Sequence, residues 1–421
     1  MAKLKTISYF LFASFVFALI ITQNPTLLTA LTLQESLLQR QESWRTAQFQ
    51  PANASSSKQI YFYRSSVQRS AQFKVENTNL ILIPLWHSET INLGIHQASK
   101  SSPISDGERV YVGGDDSWFH AFSISGEEIW KAYLGDAARG IHSTAAVTSD
   151  FVYIGSYSGT LYCFEKRTGK LVWLRKLGDT IGSSPYINGV ELVVAVETTS
   201  PNGYLVKLNI SNGETIWRSQ NLGEQAHSSP SYDPDSGLIL VGVNNSTVQA
   251  FDEKSGRLAW SKRVGGPVKG SILISNGRGY FNTWGKEFFC IDVKSADTLW
   301  KSELSSKSQV SPVQLVQAHL VVTASADGMI SAFHDLTGKL IWQIKSENIS
   351  YMTSPIVVKD LVSEKIVSVC AKRKLCLINP HGQIQRTFDI GGFLTGSPFI
   401  DNKNLYIAYD ESSLEAFRIT F

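Results

Sequence analysis

Cysteine is scarce in this 421-residue chain: there are four, and none precedes Cys163. That excludes a thiol placed directly after an N-terminal signal for lipid modification. It also leaves Cys370 and Cys376 unlike a zinc site, because the second cysteine pair that would complete four-coordination is absent. Net charge is nearly absent as well. The 39 Lys and Arg against 36 Asp and Glu leave +3, and Lys3 and Lys5 alone supply two of it. So balanced a chain carries no electrostatic footprint for nucleic acid. There is no Gly-x-Ser-x-Gly elbow to expose a serine nucleophile. What is there is globular: 43% hydrophobic and 18% charged, which excludes wholesale disorder and a multi-span membrane protein. The 31 Gly, 10 Trp, 15 Tyr and 21 Phe favour sheet and tight turns over helix.

Residues 1–30 read as an export signal. Lys3 and Lys5 precede an uncharged apolar stretch over residues 7–21, the pattern of a secretory n-region and h-region. Leu28-Thr29-Ala30 offers one small residue for cleavage, so an uncleaved anchor stays open, although the stretch is short for a span of roughly 20 residues. Residues 31–78 are rich in Gln and Ser and read as a polar linker, with one short helix expected over 31–40.

From residue 79 to 421 a repeat of about 43 residues organises the text. Its most regular marker is a tryptophan, at Trp86, Trp130, Trp173, Trp217, Trp260, Trp300 and Trp342, with Arg386 at the next expected place. Upstream of each comes a small residue, an apolar one, usually a polar one, and a turn, as in Cys163–Trp173 and Ala250–Trp260. The turn glycine meets the need for a tight turn, and the indole four residues later can dock on a neighbouring sheet. Four short strands fit each unit. After Arg386 only three remain, at 397–400, 405–409 and 414–417; the missing fourth is expected from residues 80–86. The expected fold is therefore all-β: an eight-bladed propeller of four-stranded antiparallel blades, closed by pairing the two ends of the chain.

The small-aromatic-acidic-x-x-Ser/Thr-Gly-x-x-x-Trp run resembles the docking repeat of the pyrroloquinoline-quinone (PQQ) propeller family. No Trp-Asp dipeptide occurs, which separates it from WD40 propellers of similar period. That family includes quinoprotein dehydrogenases and the non-enzymatic, BamB-like factors of outer-membrane protein assembly. The resemblance implies two readings. One is an exported, non-catalytic scaffold in the cell envelope, periplasmic or membrane-tethered, with no cofactor and no metal. Its partners would be other envelope proteins, the β-barrel assembly machinery among them, and it would meet the membrane only through an uncleaved N-terminal segment. The alternative is a PQQ-dependent dehydrogenase with calcium, which needs clustered carboxylates, a catalytic acid and an aromatic floor. Many such enzymes carry a disulfide between adjacent cysteines, and none of the four here is adjacent to another. The scaffold is the favoured reading, with no catalytic residue assigned.

The remaining cysteines fit packing. Cys163 and Cys290 fall where other units have Ala121, Ala250, Ala332 and Ala416, as small core residues. With a two-residue turn at Lys372-Arg373, Cys370 and Cys376 project from opposite sides of their hairpin. A three-residue turn would set them face to face and permit a disulfide. Separate thiols are favoured. Small hydroxyl residues, Ser143, Ser184, Ser229, Ser311, Ser354 and Ser397, recur before the first strands, where they can line a narrow central channel.

In such a ring the connections between blades and the turns between second and third strands emerge on one face, here termed upper. The expected partner-binding residues lie there. His142 and His227 precede their inner strands, Trp118 and Trp284 lie at second turns, Glu197 begins a long hairpin loop, and Lys372, Arg373 and Lys374 form a basic turn.

Overall fold

A computed structural model describes residues 60–94, 101–135, 140–199, 202–346, 353–394, 396–401, 403–410 and 412–421. The expected signal, and the helix over 31–40, lie outside the described residues. Strands whose side chains alternate between two packed neighbours read as short apolar runs, such as Phe151–Gly155 and Leu320–Ala324, bounded by Gly, Asp and Ser turns. They assemble into eight antiparallel blades in a ring, with no helix among the described residues. Blades 1 to 7 occupy residues 104–133, 146–176, 186–218, 231–263, 273–303, 313–345 and 356–389. Blade 8 combines Phe399–Ile400, Asn404–Asp410 and Ser413–Thr420 with an outer strand, Ile81–Thr90, from the start of the fold. Trp86 pairs with Ala416 in that closing ladder, as the one-strand deficit after Arg386 requires.

The tryptophans fasten blade to blade. Each indole Nε1 donates to a backbone carbonyl in the next blade: Trp86 to Ile124, Trp130 to Lys166, Trp173 to Ile210 and Trp217 to Glu253. Trp260 does the same to Val293, Trp300 to Asp335 and Trp342 to Pro380, all seven bonds falling at 2.8–3.1 Å. The turn that accepts also lies flat on the ring. A Cβ on Gly169 would come within 2.6 Å of Trp130, so the glycine makes the close approach possible as well as the positive φ of +70°. Ala296 takes glycine's place after Trp260 and keeps the conformation, at φ 64°. Left-handed backbone costs a residue with a Cβ about 1–2 kcal/mol. Ala296→Gly is therefore expected to raise stability by about 1 kcal/mol, and Gly169→Ala to lower it by about 2 or more, read from urea midpoints. Equal midpoints for both would remove the docking account.

A small residue sits opposite each indole: Ala121, Cys163, Ala250, Cys290, Ala332 and Ala416. Both Cys163 and Cys290 are buried free thiols, as packing required. Blade 3 departs from the rule, with Lys207 opposite Trp217. Its buried ammonium is matched by Glu191 and by Glu253, 2.8 Å away, which together hold its pKa above the usual lysine value despite desolvation.

Two expectations are corrected. Cys370 and Cys376 form a disulfide. The turn is indeed the two-residue one, with Ala371 opposite Lys374, but the register slips between Val369 and Ala371. Cys370 occupies that bulge, which swings it to the side of Cys376. The second correction is that the segment read as linker contributes to the ring from Ile60 onward. Tyr61 bridges Val147 on the inner strand of blade 2, and Gln72–Lys74 adds a parallel strand to the inner edge of blade 7. Between them the chain forms a hairpin up the axis. Arg64 donates to the carbonyls of Arg69, Pro355 and Pro312, and Arg69 to those of Pro230, Tyr63 and Ser184. Both guanidinium groups are buried, 3% and 0% exposed, and desolvation pushes each down to about 10. Polar composition concealed this plug, because its partners are main-chain carbonyls.

Candidate functional site

The upper face is built on a hydroxyl ring at the channel neck. The N–H of one blade donates to the hydroxyl of the next: Ser102 to Thr144, Thr144 to Ser184, Ser184 to Ser229. Ser271 donates to Ser311, Ser311 to Ser354 and Ser397 to Ser102, all at 2.8–2.9 Å. These small polar residues stitch blades together, and Thr144 rather than Ser143 holds the position in blade 2. Beneath them lies Tyr63. Burial raises its phenol, but Arg64 and the hydroxyls of Ser397, Ser311 and Ser354 outweigh it and bring the pKa below the ordinary value.

Around this neck the sequence-derived residues divide into separate groups. Trp118, half-buried on blade 1, packs on Tyr133 with ring centres 5.3 Å apart and has Lys131 5.6 Å from its ring centre. His142 is buried in the connection to blade 2, against Tyr157 at 4.2 Å. On blade 7, Lys372 sits 5.3 Å from the ring of exposed Phe393, while Lys374 pairs with Asp389 at 2.7 Å. Arg373 takes the left-handed turn position, at φ 57°.

The third group spans blades 3 to 5 and gathers Glu197, His227 and Trp284. Glu197 stands one residue from the end of the second strand of blade 3, and antiparallel bonding to Thr180 fixes its backbone. Its carboxylate is buried, 3.1 Å from His227 Nδ1. Trp284, in the second turn of blade 5, is half-buried and flanked by two cations. Lys269 Nζ lies 3.8 Å from its ring centre and Lys307 Nζ 4.6 Å. Desolvation lowers the pKa of Lys269, and repulsion from Lys307 adds to this, while the field of Glu197 opposes it. The sequence reading missed both lysines. Lys269 was detectable, since it stands two residues before Ser271, where His142 and His227 stand before Thr144 and Ser229.

As a chemical device this face offers cations, indoles and a recessed acid, held by sheet. No group of three or more His, Cys, Asp or Glu is arranged to hold a metal among the described residues. Nor does the axis fit a planar quinone with calcium. The hairpin of Tyr63 to Phe73 already fills it, leaving a remnant pocket lined by Tyr63, Phe73, Ile356 and Phe399 with room for about one water.

Residues 115–242 and 201–420 match the family described as outer membrane protein assembly factor BamB. The chain is 22% identical to that factor from Yersinia pestis over 320 residues, covering 70% of this chain and 77% of the relative. It is 23% identical to the Burkholderia pseudomallei factor over 261 residues, 58% of this chain and 64% of that one. Among solved structures, BamB from Moraxella catarrhalis superposes with a TM-score of 0.63 at 20% identity, over 80% of this chain and all of that one. A europium-containing methanol dehydrogenase superposes with a TM-score of 0.70 at 11% identity, over 85% and 97%. At such identities these structures share the fold, and the fold hosts both binding and chemistry.

Proposed function

The chain belongs to the BamB family, and from that premise we propose that it is an exported, non-catalytic scaffold in the cell envelope, holding another protein against its upper face. The supporting observation is Trp284: a large indole, kept at the surface between two ammonium groups, on a ring that sheet pairing makes rigid. Large aromatics with adjoining cations are the usual anchors of protein interfaces. The Cys370–Cys376 disulfide supports an oxidising compartment, and the apolar run over residues 7–21 supports export, as signal or tether. The partner we propose is a subunit of the β-barrel assembly machinery. The dehydrogenase reading finds less support, because its quinone and calcium do not fit the filled axis.

Crosslinking in membranes of the source organism, followed by mass spectrometry, tests this. A β-barrel assembly subunit should be recovered. Exclusive recovery of unrelated proteins would refute the proposed partner, and PQQ with calcium giving a quinone absorbance change on an alcohol or sugar would refute the non-catalytic role. Replacing Trp118 and Trp284 together by alanine should lower capture about tenfold, the cost of losing an interface anchor or two, with the unfolding midpoint little changed. Undiminished capture would remove the assignment of the face.

A further inference from the structure

The upper surface of blade 5 carries three lysines with no carboxylate in ion-pair range among the described residues, beside Glu303, which stands opposite Glu287 in the outer ladder. Glu287 is paired with Lys301 at 3.0 Å, and Asp327 on neighbouring blade 6 with Lys345 at 3.5 Å. Glu197 lies with His227. Lys269, Lys286 and Lys307 have no carboxylate against them among the described residues, although the first and third converge on Trp284 and Lys286 follows it by two residues. Holding two ammoniums against one indole sets like charges near each other. Lys269 is half-buried besides, so its charge is incompletely solvated. A carboxylate brought from outside would relieve both costs, and an apolar side chain beside it would cover the exposed part of the indole.

We propose that Trp284, Lys269 and Lys307 form the docking point for an acidic segment of the partner protein, one carrying Asp or Glu next to an apolar residue. The inference rests on the proposed function, in that it names what the upper face receives. Charge complementarity carries it: the indole supplies contact area and the lysines supply selectivity and a faster encounter. A protein segment is the occupant favoured over a lipid headgroup because of where the chain enters the ring. Tyr61, at the start of the described fold, bridges Val147 near the Thr148–Phe151 turn, which opens on the lower face. The described fold thus begins on the side opposite Trp284.

The test uses the full chain in mild detergent and two fluorescein-labelled decapeptides with the same Leu and Phe positions, one with Glu and Asp between them, the other with Lys and Arg. Fluorescence anisotropy should show binding of the acidic peptide alone. Lys269→Gln with Lys307→Gln should weaken it at least tenfold, and raising salt from 50 to 300 mM should weaken the parent more than the variant. Equal binding of both peptides, or a double variant as tight as the parent, overturns the inference. So does a phosphatidylglycerol vesicle that binds the parent better than the variant while the acidic peptide does not bind. If the double variant still captures the crosslinked partner, the upper face stands and only its charge reading falls.

Discussion

Arg69→Ala should cost the protein about 3–5 kcal/mol of unfolding free energy, one of the two largest effects expected here. The residue has no exposed surface and makes three hydrogen bonds, at 2.8–2.9 Å, to carbonyls of Pro230, Tyr63 and Ser184. Truncation leaves those acceptors buried and unsatisfied, each at about 1–3 kcal/mol, and opens a void on the axis. Part of that loss is returned, because a guanidinium with no carboxylate nearby is itself costly to bury. Arg69→Lys is the sharper variant. It keeps the charge and most of the volume but cannot reach three carbonyls at fixed angles, so it should fall between parent and alanine. Urea unfolding followed by intrinsic tryptophan fluorescence measures both. An alanine variant within about 1 kcal/mol of the parent would show that the hairpin occupies the channel without fastening it.

Removing residues 1–92 should abolish the soluble monomer. Blade 8 would lose its outer strand, and Ser413–Thr420 would become an unpaired edge carrying Leu414, Phe417 and Ile419. The ring would also lose the indole of Trp86 from the turn of blade 1, together with the axial hairpin. Size-exclusion chromatography should find aggregate. A synthetic peptide of residues 60–92, supplied during refolding, should restore the monomer by adding the strand in trans. A truncated chain that remains monomeric and folded without the peptide would contradict the closure described above.

How far the sequence revealed this differs from feature to feature. The blade count was legible because each indole must reach a fixed neighbour, so packing geometry is copied into a spacing that text preserves. The closing strand was legible for a related reason: a sheet short of one member leaves an arithmetic deficit at the other terminus. The hydroxyl ring showed as a recurrent small polar residue, with blade 2 misread by one position. The arginine hairpin was hidden. Its partners are carbonyls, which every residue carries, so nothing in the side chains around Pro230 or Pro312 signals that a cation waits for them. The disulfide was hidden by a bulge, since one slipped residue reverses the facing that strand alternation assigns. In the upper face, Glu197, His227 and Trp284 were found as separate residues, and only coordinates show that they share blades 3 to 5. Lys269 was overlooked because a lysine in a connection looks like ordinary solvated surface until its repeat position is compared with His142 and His227.

The Leu414 N–H bonds the Ser88 hydroxyl across 326 residues of intervening chain. Ile81–Thr90 must therefore wait for Ser413–Thr420, and throughout that interval it has no final partner strand. Late-forming contacts this distant make assembly slow and all-or-none. A chain delivered across a membrane amino end first would thus spend its transit with an unmatched β-edge on display, a surface open to mispairing until the last blade arrives.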